Sequence, residues 1–222
     1  MFVFLTPYRA TGVQTFRRNE IIRMLDNVKT YFAKHSVELR VVIAEQNDNE
    51  KFNRGLLLNA AFLEAEKLFP EAKAFLHFNV DYTINISRPF PQELHEFTSG
   101  FIDLHRPGFP VLGAACVFDR QSYRTIGGFP NDLIGWGGDD WAIYNRIVNK
   151  RVPIYTPTGL YNSGFVVEYN EKFAVDTVNN EKNMSLSTRD DSDTNGVSTC
   201  TYSYDGVGEF HDGAIVHHFL IH

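Results

Sequence analysis

The sequence predicts one α/β domain spanning residues 1–222, with a mostly parallel central sheet flanked by helices. Strand-like and helix-like apolar patterns alternate through the first third of the chain. The 222 residues are 43% hydrophobic and 22% charged, a composition too apolar for a disordered protein. No stretch approaches the roughly 18 consecutive apolar residues that a membrane-spanning helix needs. A chain of this length most often forms a single domain.

The first five elements alternate strictly between strand and helix. Apolar runs predict strands, and apolar positions three and four residues apart predict helices. We expect strands at residues 2–5, 39–44 and 74–78, and helices at residues 14–34 and 57–68. Thr6-Pro7 should stop the first strand, and Pro70 should end the second helix. Strands joined by helices form right-handed crossovers, so these three strands should be parallel.

The second half of the chain is less regular. Residues 111–118 predict another buried strand, and glycines concentrate in the segment GGFPNDLIGWGGDDW at residues 127–141. The polar stretch at residues 170–195 is typical of a long surface excursion. Two final runs, TCTYSY and AIVHHFLI, predict a late hairpin added to the sheet.

Acidic residues occupy the places where parallel α/β sheets bind ligands, beyond the carboxyl ends of the strands. Asp81 directly follows the third strand, where it either holds a divalent metal or merely starts a turn. Asp139 and Asp140 open a predicted helix, where acids also complement the helix dipole. Trp136 beside the pair Gly137-Gly138 favours a functional role, because a mobile loop could present the indole to a sugar.

Two arginines could meet phosphate oxygens. Arg9 follows the first strand and Arg54 starts the second helix, although each could equally serve surface solubility. A net charge of −6 argues against a nucleic-acid partner. The chain has no GxGxxG, no P-loop lysine and no GxSxG motif. Together these features favour nucleotide-sugar chemistry over hydride transfer.

The cysteines and the first residues predict a cytoplasmic location. Cys116 and Cys200 lie far apart and outside any CxxC spacing, so a disulfide framework is not expected. The segment MFVFLTPYR lacks the charged region of a signal peptide and fits a first strand. A zinc site at His217, His218 and His222 is disfavoured, because a strand sends the first two to opposite faces.

Five segments in the same order resemble the animal β-1,4-galactosyltransferase family. They are TPYR (6–9), EQNDNEKFNRGLLLNAAFLEA (45–65), FNVD (78–81), LGAACVFDRQSYRTIGGFPNDLIGWGGDDWAIYNR (112–146) and DTNGVSTCTY (193–202). The FNR and WGWGG-acidic motifs are the most specific parts of this resemblance, which covers roughly 200 residues in that order. It implies a GT-A glycosyltransferase fold, a UDP-sugar donor, Mn²⁺ and a saccharide acceptor.

The resemblance also implies a role for each matching residue. Nucleotide contacts would come from Pro7, Tyr8, Arg9, Phe52, Arg54, Asn79 and Val80, and the metal would be held by Asp81. Asp140 would be the catalytic base. Substrate would be bound by Asp139, Trp136, Gly113, Gly137 and Gly138, with Trp136 closing over donor and acceptor.

The chain departs from the family pattern at several of these positions. Asn79 replaces the first acid of the family's DVD, and Trp141 replaces an acceptor-binding aspartate, so the acceptor should differ from terminal N-acetylglucosamine. Val111 stands where a larger residue often restricts the donor, which leaves room for an N-acetyl group. The family's later metal-binding histidine is missing, and Glu168 and Asn170 are the candidates by position.

The expected activity is an inverting, metal-dependent transfer of galactose or N-acetylgalactosamine from its UDP donor to a saccharide hydroxyl. Two alternatives stay open. The donor could be UDP-glucose, UDP-xylose or a UDP-uronic acid, or the fold could serve as a sugar-binding module without catalysis. Asn79, Trp141 and the missing histidine motivate the second alternative.

Overall fold

A central eight-stranded sheet organises the protein, as seen in a computed structural model that describes residues 1–9, 17–104, 112–162, 164–168, 179–211 and 214–221. The strands are β1 (Phe2–Tyr8), β2 (Leu39–Gln46), β3 (Ala74–Phe78), β4 (Tyr82–Ile84), β5 (Phe101–Asp103), β6 (Ala115–Phe118), β7 (Ile154–Tyr155), β8 (Val166–Glu168), β9 (Tyr202–His211) and β10 (Ala214–Ile221). The helices are α1 (Arg17–Lys34), α2 (Arg54–Leu68), α3 (Gln92–His95), α4 (Arg120–Thr125), α5 (Asp139–Asn149), α6 (Thr158–Asn162) and α7 (Asn180–Leu186), and a 3₁₀ helix covers Val197–Thr199.

The sheet is mixed, and its centre is parallel. The strand order is β7-β5-β6-β3-β1-β2-β10-β9, and β4 pairs with β8 in a separate two-stranded sheet. β1 lies between β2 and β3 and is parallel to both, which confirms the predicted crossovers. β6 runs antiparallel to β3 and β5, and β9 and β10 form the predicted late hairpin beside β2.

Two apolar layers cover the two faces of this sheet, because successive strand residues point to opposite sides. Phe4 of β1 belongs to the layer under α1, together with Ile21, Leu25, Val28 and Phe32. Val3 and Leu5 point the other way, into the layer under α2. The amino end of α2 is fixed by Asn53, whose side chain accepts a hydrogen bond from the backbone N–H of Leu56.

The first strand is longer than predicted. β1 runs through Thr6 and Pro7 to Tyr8, whose Cα partner in β2 is Glu45. Pairing with β3 ends at Leu5, so the last part of β1 has a neighbouring strand on one side only. Proline is tolerated there because an edge position does not need its missing N–H.

Two predictions in the second half were wrong in extent. The strand expected at residues 111–118 covers only Ala115–Phe118 among the described residues, since Leu112 and Gly113 lie in the loop that precedes it. The surface excursion expected at residues 170–195 is described only from residue 179 onwards, and there residues 180–186 form α7 instead of an irregular loop. Asn183 and Ser187 are buried, and the Asn183 side chain and the Ser187 carbonyl form hydrogen bonds with residues of the glycine-rich segment and α5.

Candidate active site

The amino ends of two helices meet beside the carboxyl ends of the parallel strands. Arg54 begins α2, and Asp139 and Asp140 begin α5. The two acids complement the positive end of the helix dipole, and both form ion pairs with the arginine. The structure therefore joins three residues that the sequence predicted separately for nucleotide binding, substrate binding and catalysis.

The guanidinium of Arg54 lies at the centre of this cluster. Its Nη1 donates to Asp139 Oδ2 in a short ion pair and lies 3.3 Å from Asp140 Oδ1. Its Nη2 donates to the Gly113 carbonyl and lies 2.9 Å from His77 Nε2. Only 13% of the Arg54 side chain is exposed, and the Phe129 ring packs against the guanidinium. Most donors of Arg54 are thus used inside the protein.

His77 is a buried neutral base behind Arg54. Its Nδ1 lies 3.1 Å from the Leu5 carbonyl, which can only accept a hydrogen bond, so Nδ1 carries the proton. Nε2 is then free to accept the hydrogen bond from Arg54 Nη2. Burial lowers the pKa of His77 to about 3, and the Arg54 charge acts in the same direction. The imidazole therefore orients Arg54 without adding a charge.

Asp140 has the properties of a base that works near neutral pH. Burial raises its pKa to about 7, and the neighbouring Asp139 and Asp103 add to the rise. The Arg54 guanidinium opposes both effects. About 35% of the Asp140 side chain remains exposed, so the carboxylate is still accessible to a substrate. A carboxylate with a pKa near the working pH suits general base catalysis.

Gly113 leaves the space in which the Asp140 carboxylate sits. A Cβ at this position would lie 2.6 Å from Asp140 Oδ1, and the φ of Gly113 is +139°, a conformation that favours glycine. The preceding residue, Leu112, donates its backbone N–H to the Asp140 carbonyl at 3.1 Å. The loop containing Gly113 therefore packs closely against Asp140, and the expected role of Gly113 in a sugar pocket stays a prediction.

The glycine loop before α5 is held by α7. Gly135, Gly137 and Gly138 all have positive φ. The buried Asn183 Nδ2 donates to the carbonyls of Ile134, at 3.0 Å, and Trp136, at 3.3 Å. Gly138 lies against the backbone of α7, where a Cβ would be 2.5 Å from the Asn183 carbonyl oxygen. Trp136 itself is 50% exposed.

The residues expected to contact the nucleotide lie at the ends of β1 and β3 and before α2. Pro7 and Tyr8 are buried, and the Tyr8 ring packs edge-to-face on Phe210 with its centroid 5.4 Å away. Arg9 Nη2 donates to the Asp48 carbonyl at 3.3 Å. Phe52 is half-buried, and its carbonyl accepts from Gly135 N at 2.9 Å, which connects this segment to the glycine loop.

The turn after β3 carries the candidate metal ligand. The carbonyl of Asn79 accepts from Tyr82 N at 3.0 Å, and this turn places Val80 and Asp81 at the strand end, both partly exposed. Tyr82 pairs with Glu168, so Asp81 lies one residue away from the Glu168 backbone. Oxygen donors of this kind suit Mn²⁺. Asn170 and Val111 lie outside the described residues. Within the described ranges, no three His, Cys, Asp or Glu side chains come together in a group that could hold a metal ion.

Two family profiles match most of this chain. One, described as the N-terminal region of glycosyl transferase group 7, matches residues 4–87. The other, described as the N-terminal domain of galactosyltransferase, matches residues 98–170. The chain belongs to the galactosyltransferase family. Both matched ranges contain residues of the Arg54 cluster, and the resemblance found in the sequence is confirmed.

Three curated relatives are between 28% and 32% identical to this chain over their aligned parts. A β-N-acetyl-D-glucosaminide β-1,4-N-acetylglucosaminyl-transferase of Lymnaea stagnalis is 29% identical over 71% of this chain and 34% of the relative. β-1,4-Galactosyltransferase 1 of Mus musculus is 28% identical, over 70% and 41%. β-1,4-Galactosyltransferase 2 of Cricetulus griseus is 32% identical, over 68% and 45%. The matched part is thus less than half the length of these three relatives.

Solved structures of galactosyltransferases share the fold. The catalytic domain of Drosophila β1,4-galactosyltransferase 7, in complex with xylobiose, superposes with a TM-score of 0.73 at 16% identity and covers 100% of this chain and 94% of that chain. A variant of the same enzyme, in complex with manganese, UDP-Gal and xylobiose, gives 0.71 at 16% identity with the same coverage. The GT-A fold is therefore confirmed. No helix of this family member, within the described ranges, is long and apolar enough to cross a membrane.

Three residues of this galactosyltransferase-family site were missed in the sequence. His77 was treated only as part of a strand, although a histidine inside the apolar run AFLHF is itself a signal of a buried polar contact. Asp103 ends β5 and is only 7% exposed, yet its strand is three residues long and gave no clear pattern. Asn183 lies in a uniformly polar stretch, where no sequence feature distinguishes a buried amide.

Proposed function

We propose that the protein transfers galactose, or N-acetylgalactosamine, from a UDP-sugar to a saccharide hydroxyl with inversion at the anomeric carbon. The observation that carries this proposal is Asp140, a carboxylate at the amino end of α5 that contacts Arg54 and Gly113 and belongs to the WGGDD segment at residues 136–140. Two further findings support this reaction. The chain belongs to the galactosyltransferase family, and a structural neighbour was solved with manganese and UDP-Gal.

In the proposed reaction, Asp140 accepts the proton of the acceptor hydroxyl while that oxygen attacks the anomeric carbon. The bond between the anomeric carbon and the diphosphate oxygen breaks, and the leaving UDP carries away the electron pair. Attack opposite the leaving group inverts the anomeric configuration. General base catalysis of this kind typically contributes 10²- to 10⁴-fold. Asp139 and Arg54 keep the Asp140 carboxylate in place during the transfer.

The charge on the diphosphate needs compensation from outside the Asp140 cluster. Arg9 lies at the end of β1, where a guanidinium can reach phosphate oxygens. A divalent cation such as Mn²⁺, when bound, would neutralise developing charge on the leaving diphosphate. Asp81 is the first candidate to hold it, and Glu168 and Asn170 are proposed as further ligands because β8 runs beside Asp81.

Two finer points of the proposal concern the donor sugar and the location of the protein. The donor could carry an N-acetyl group, because the Lymnaea relative is named as an N-acetylglucosaminyl-transferase. We place the protein in the cytoplasm, since Cys116 and Cys200 are both free thiols and neither needs an oxidising compartment. Product analysis by NMR would show whether the new linkage is inverted, and fractionation of the source cell would test the location.

The decisive experiment compares Asp140→Asn with the wild-type protein. UDP release would be measured with UDP-galactose, UDP-N-acetylgalactosamine, UDP-glucose, UDP-xylose and UDP-glucuronic acid, with and without Mn²⁺. We expect Asp140→Asn to lose 10²- to 10⁴-fold in transfer while UDP affinity is retained. Asp193→Asn is the matched control, because Asp193 is 84% exposed and pairs only with Lys150. Equal turnover of Asp140→Asn and wild type would refute the assignment.

The same experiment separates the alternatives. If the wild-type protein releases UDP chiefly from UDP-glucose, UDP-xylose or UDP-glucuronic acid, the proposed mechanism stands and the assigned donor is wrong. A protein that binds a glycan but releases no UDP from any donor, with or without Mn²⁺, would be a sugar-binding module. Asn79 and Trp141, which replace acids of the family pattern, are the residues that favour this module.

A further inference from the structure

We propose that Trp141 is a specificity-determining residue that stacks on the acceptor saccharide, an inference that rests on the proposed function. The acceptor would be a pyranose that presents an apolar face of C–H groups beside the hydroxyl that reacts. Trp141 follows Asp140 directly in the first turn of α5, so its position adjoins the proposed base.

Both tryptophans of the chain lie at this site, and both are open to solvent. Trp136 is 50% exposed and Trp141 is 37% exposed, although exposed indoles are unusual on a protein surface. Within the described ranges, neither indole makes a ring contact with another aromatic side chain or a cation. Their apolar faces therefore remain available to a ligand.

The backbone around Trp141 is tied to α7. Gly138 packs against Asn183, and the Asn145 side chain donates to the Ser187 carbonyl at 3.1 Å. Gly138, Trp141 and Asn145 recur at helical spacing on one face of α5, so Trp141 lies between the two contacts with α7. A fixed backbone lets the indole present one face to a ligand at little cost in conformational entropy.

Four exposed apolar side chains belong to α5, α7 and the glycine loop before α5. We call them the apolar rim: Ile134, Trp136, Trp141 and Met184, each between 37% and 50% exposed. Asn183 connects them, because its amide binds the carbonyls of Ile134 and Trp136 and it directly precedes Met184. An exposed apolar cluster continuous with a site is typical of ligand binding. Trp136 and Trp141 lie within four residues of Asp139 and Asp140 in the chain, so the rim lies near carboxylates that can bind the hydroxyls of a saccharide.

The chemistry of indole sets the class of acceptor. An indole offers a flat apolar face and one N–H donor, so it cannot accept the two hydroxyl hydrogen bonds that a carboxylate accepts. A pyranose whose hydroxyls are all equatorial carries axial C–H groups on both faces and can stack there. β-Xylosides, β-glucosides and β-N-acetylglucosaminides have this geometry, whereas the axial hydroxyl of a galactoside makes one face polar.

Because the chain has only two tryptophans, fluorescence can test the proposal at the residue itself. Trp136→Phe leaves Trp141 as the single emitter, and Trp141→Phe leaves Trp136. Methyl β-xyloside, methyl β-glucoside, methyl β-N-acetylglucosaminide, xylobiose and methyl β-galactoside would be titrated with Mn²⁺ and UDP present. We expect at least one all-equatorial sugar to shift or quench the emission of Trp141 saturably, and methyl β-galactoside reports whether a sugar with a single apolar face can stack as well.

Kinetics provide the second readout. We expect Trp141→Ala to raise the acceptor KM about tenfold or more, and Trp141→Phe to restore most of the loss, while the UDP dissociation constant stays within about twofold. Val148→Ala is the control, because Val148 is 52% exposed on the same helix but lies two turns from the site. A merely structural role for Trp141 would change UDP affinity and the urea midpoint together with the acceptor KM.

The two proposals fail in different ways. If the wild-type protein releases no UDP but a saccharide still perturbs Trp141 emission, the proposed function fails and the stacking site stands. If the wild type transfers sugar while Trp141 emission is unchanged at saturating acceptor and Trp141→Ala keeps the acceptor KM, the stacking site is refuted. The stacking site is also refuted if no sugar changes Trp141 emission and none serves as an acceptor.

Discussion

Gly113→Ala tests the central packing relation of the site without removing a charged group. The added Cβ would lie 2.6 Å from Asp140 Oδ1, closer than carbon and oxygen approach without displacement. The φ of Gly113, +139°, is also unfavourable for alanine. One methyl group therefore strains the loop backbone and pushes the proposed base away from Arg54.

The expected loss of stability in Gly113→Ala is the sum of the backbone strain and the weakened contact between Asp140 and Arg54. A non-glycine residue in such a conformation costs about 1–3 kcal/mol of folding free energy. Restoring a normal contact distance moves the carboxylate by about half an ångström or more. That movement weakens the 3.3 Å contact between Arg54 Nη1 and Asp140 Oδ1, a charged hydrogen bond of about 1.5–3 kcal/mol. We expect a total loss of about 2–5 kcal/mol and a roughly tenfold or greater loss of transfer.

Urea unfolding followed by circular dichroism measures the first effect, and UDP release measures the second. Gly159→Ala is the matched control, because nothing lies within 4 Å of the added Cβ and the position is in α6. Alanine is favoured over glycine in a helix, so this variant should be unchanged or more stable by up to about 1 kcal/mol. A reduced slope of the unfolding curve would show that a variant had changed its denatured or native compactness as well.

A double-mutant cycle with Asp140→Ala separates the contact from the backbone strain. In the Asp140→Ala background the clashing oxygen is absent, so Gly113→Ala should cost only the strain of about 1–3 kcal/mol. The reasoning would be refuted if Gly113→Ala were as stable and active as Gly159→Ala. It would also fail if the cost of Gly113→Ala were the same with and without the Asp140 carboxylate.

Three further predictions concern the charges of the site. The transfer rate should rise with pH through about 7 as Asp140 loses its proton, and Asp139→Asn should shift this limb of the pH–rate profile to lower pH. Burial lowers the pKa of His77 to about 3, so the contribution of neutral His77 to the free energy of unfolding is full above pH 6.5 or so and is lost as the pH falls toward 3. In urea titrations, His77→Phe should reduce the pH dependence of this free energy by up to about 1.4 kcal/mol per pH unit. Arg9→Gln should weaken UDP binding about tenfold in calorimetry, whereas Arg54→Lys should chiefly lower kcat, and the opposite pattern would assign the diphosphate to Arg54.

The central fold could be predicted because its signals are local. Three buried strands and two helices in alternation leave few arrangements besides parallel crossovers. Phe2–Tyr8, Leu39–Gln46 and Ala74–Phe78 begin where expected, although the first two run further than predicted. The end of β1 could not be read from Pro7, since whether proline interrupts a strand depends on the neighbours of that strand. α7 was missed because polar hydrogen bonds of Asn183, and not an apolar stripe, attach it to the protein.

The site was predictable in its members but not in its connections. Arg54, Asp139 and Asp140 were each identified from position and residue type, yet no local pattern indicates that residues 85 and 86 positions apart form ion pairs. His77 could be placed in a strand, but its partner depends on which face of β3 meets α2. Glu168 is placed by the register of β8 with β4, which sequence spacing alone does not define.

The contacts of Arg54 indicate that Arg54 and Arg9 have different roles. A guanidinium has five N–H donors, and in Arg54 the two terminal nitrogens face Asp139, Asp140, His77 and the Gly113 carbonyl. The buried Nε–H is the one nitrogen of this group without a hydrogen-bond partner in the described structure.

An arginine bound in this way acts on the carboxylates and has little capacity left for a diphosphate. Its charge opposes the burial that raises the pKa of Asp140, so without Arg54 the base would hold its proton to still higher pH. His77 can support Arg54 only while neutral, because an imidazolium would repel the guanidinium, and its burial ensures that state at neutral pH. In the proposed reaction, charge on the leaving diphosphate would then be neutralised by Arg9, which follows β1, and by a divalent cation held by Asp81, which follows β3.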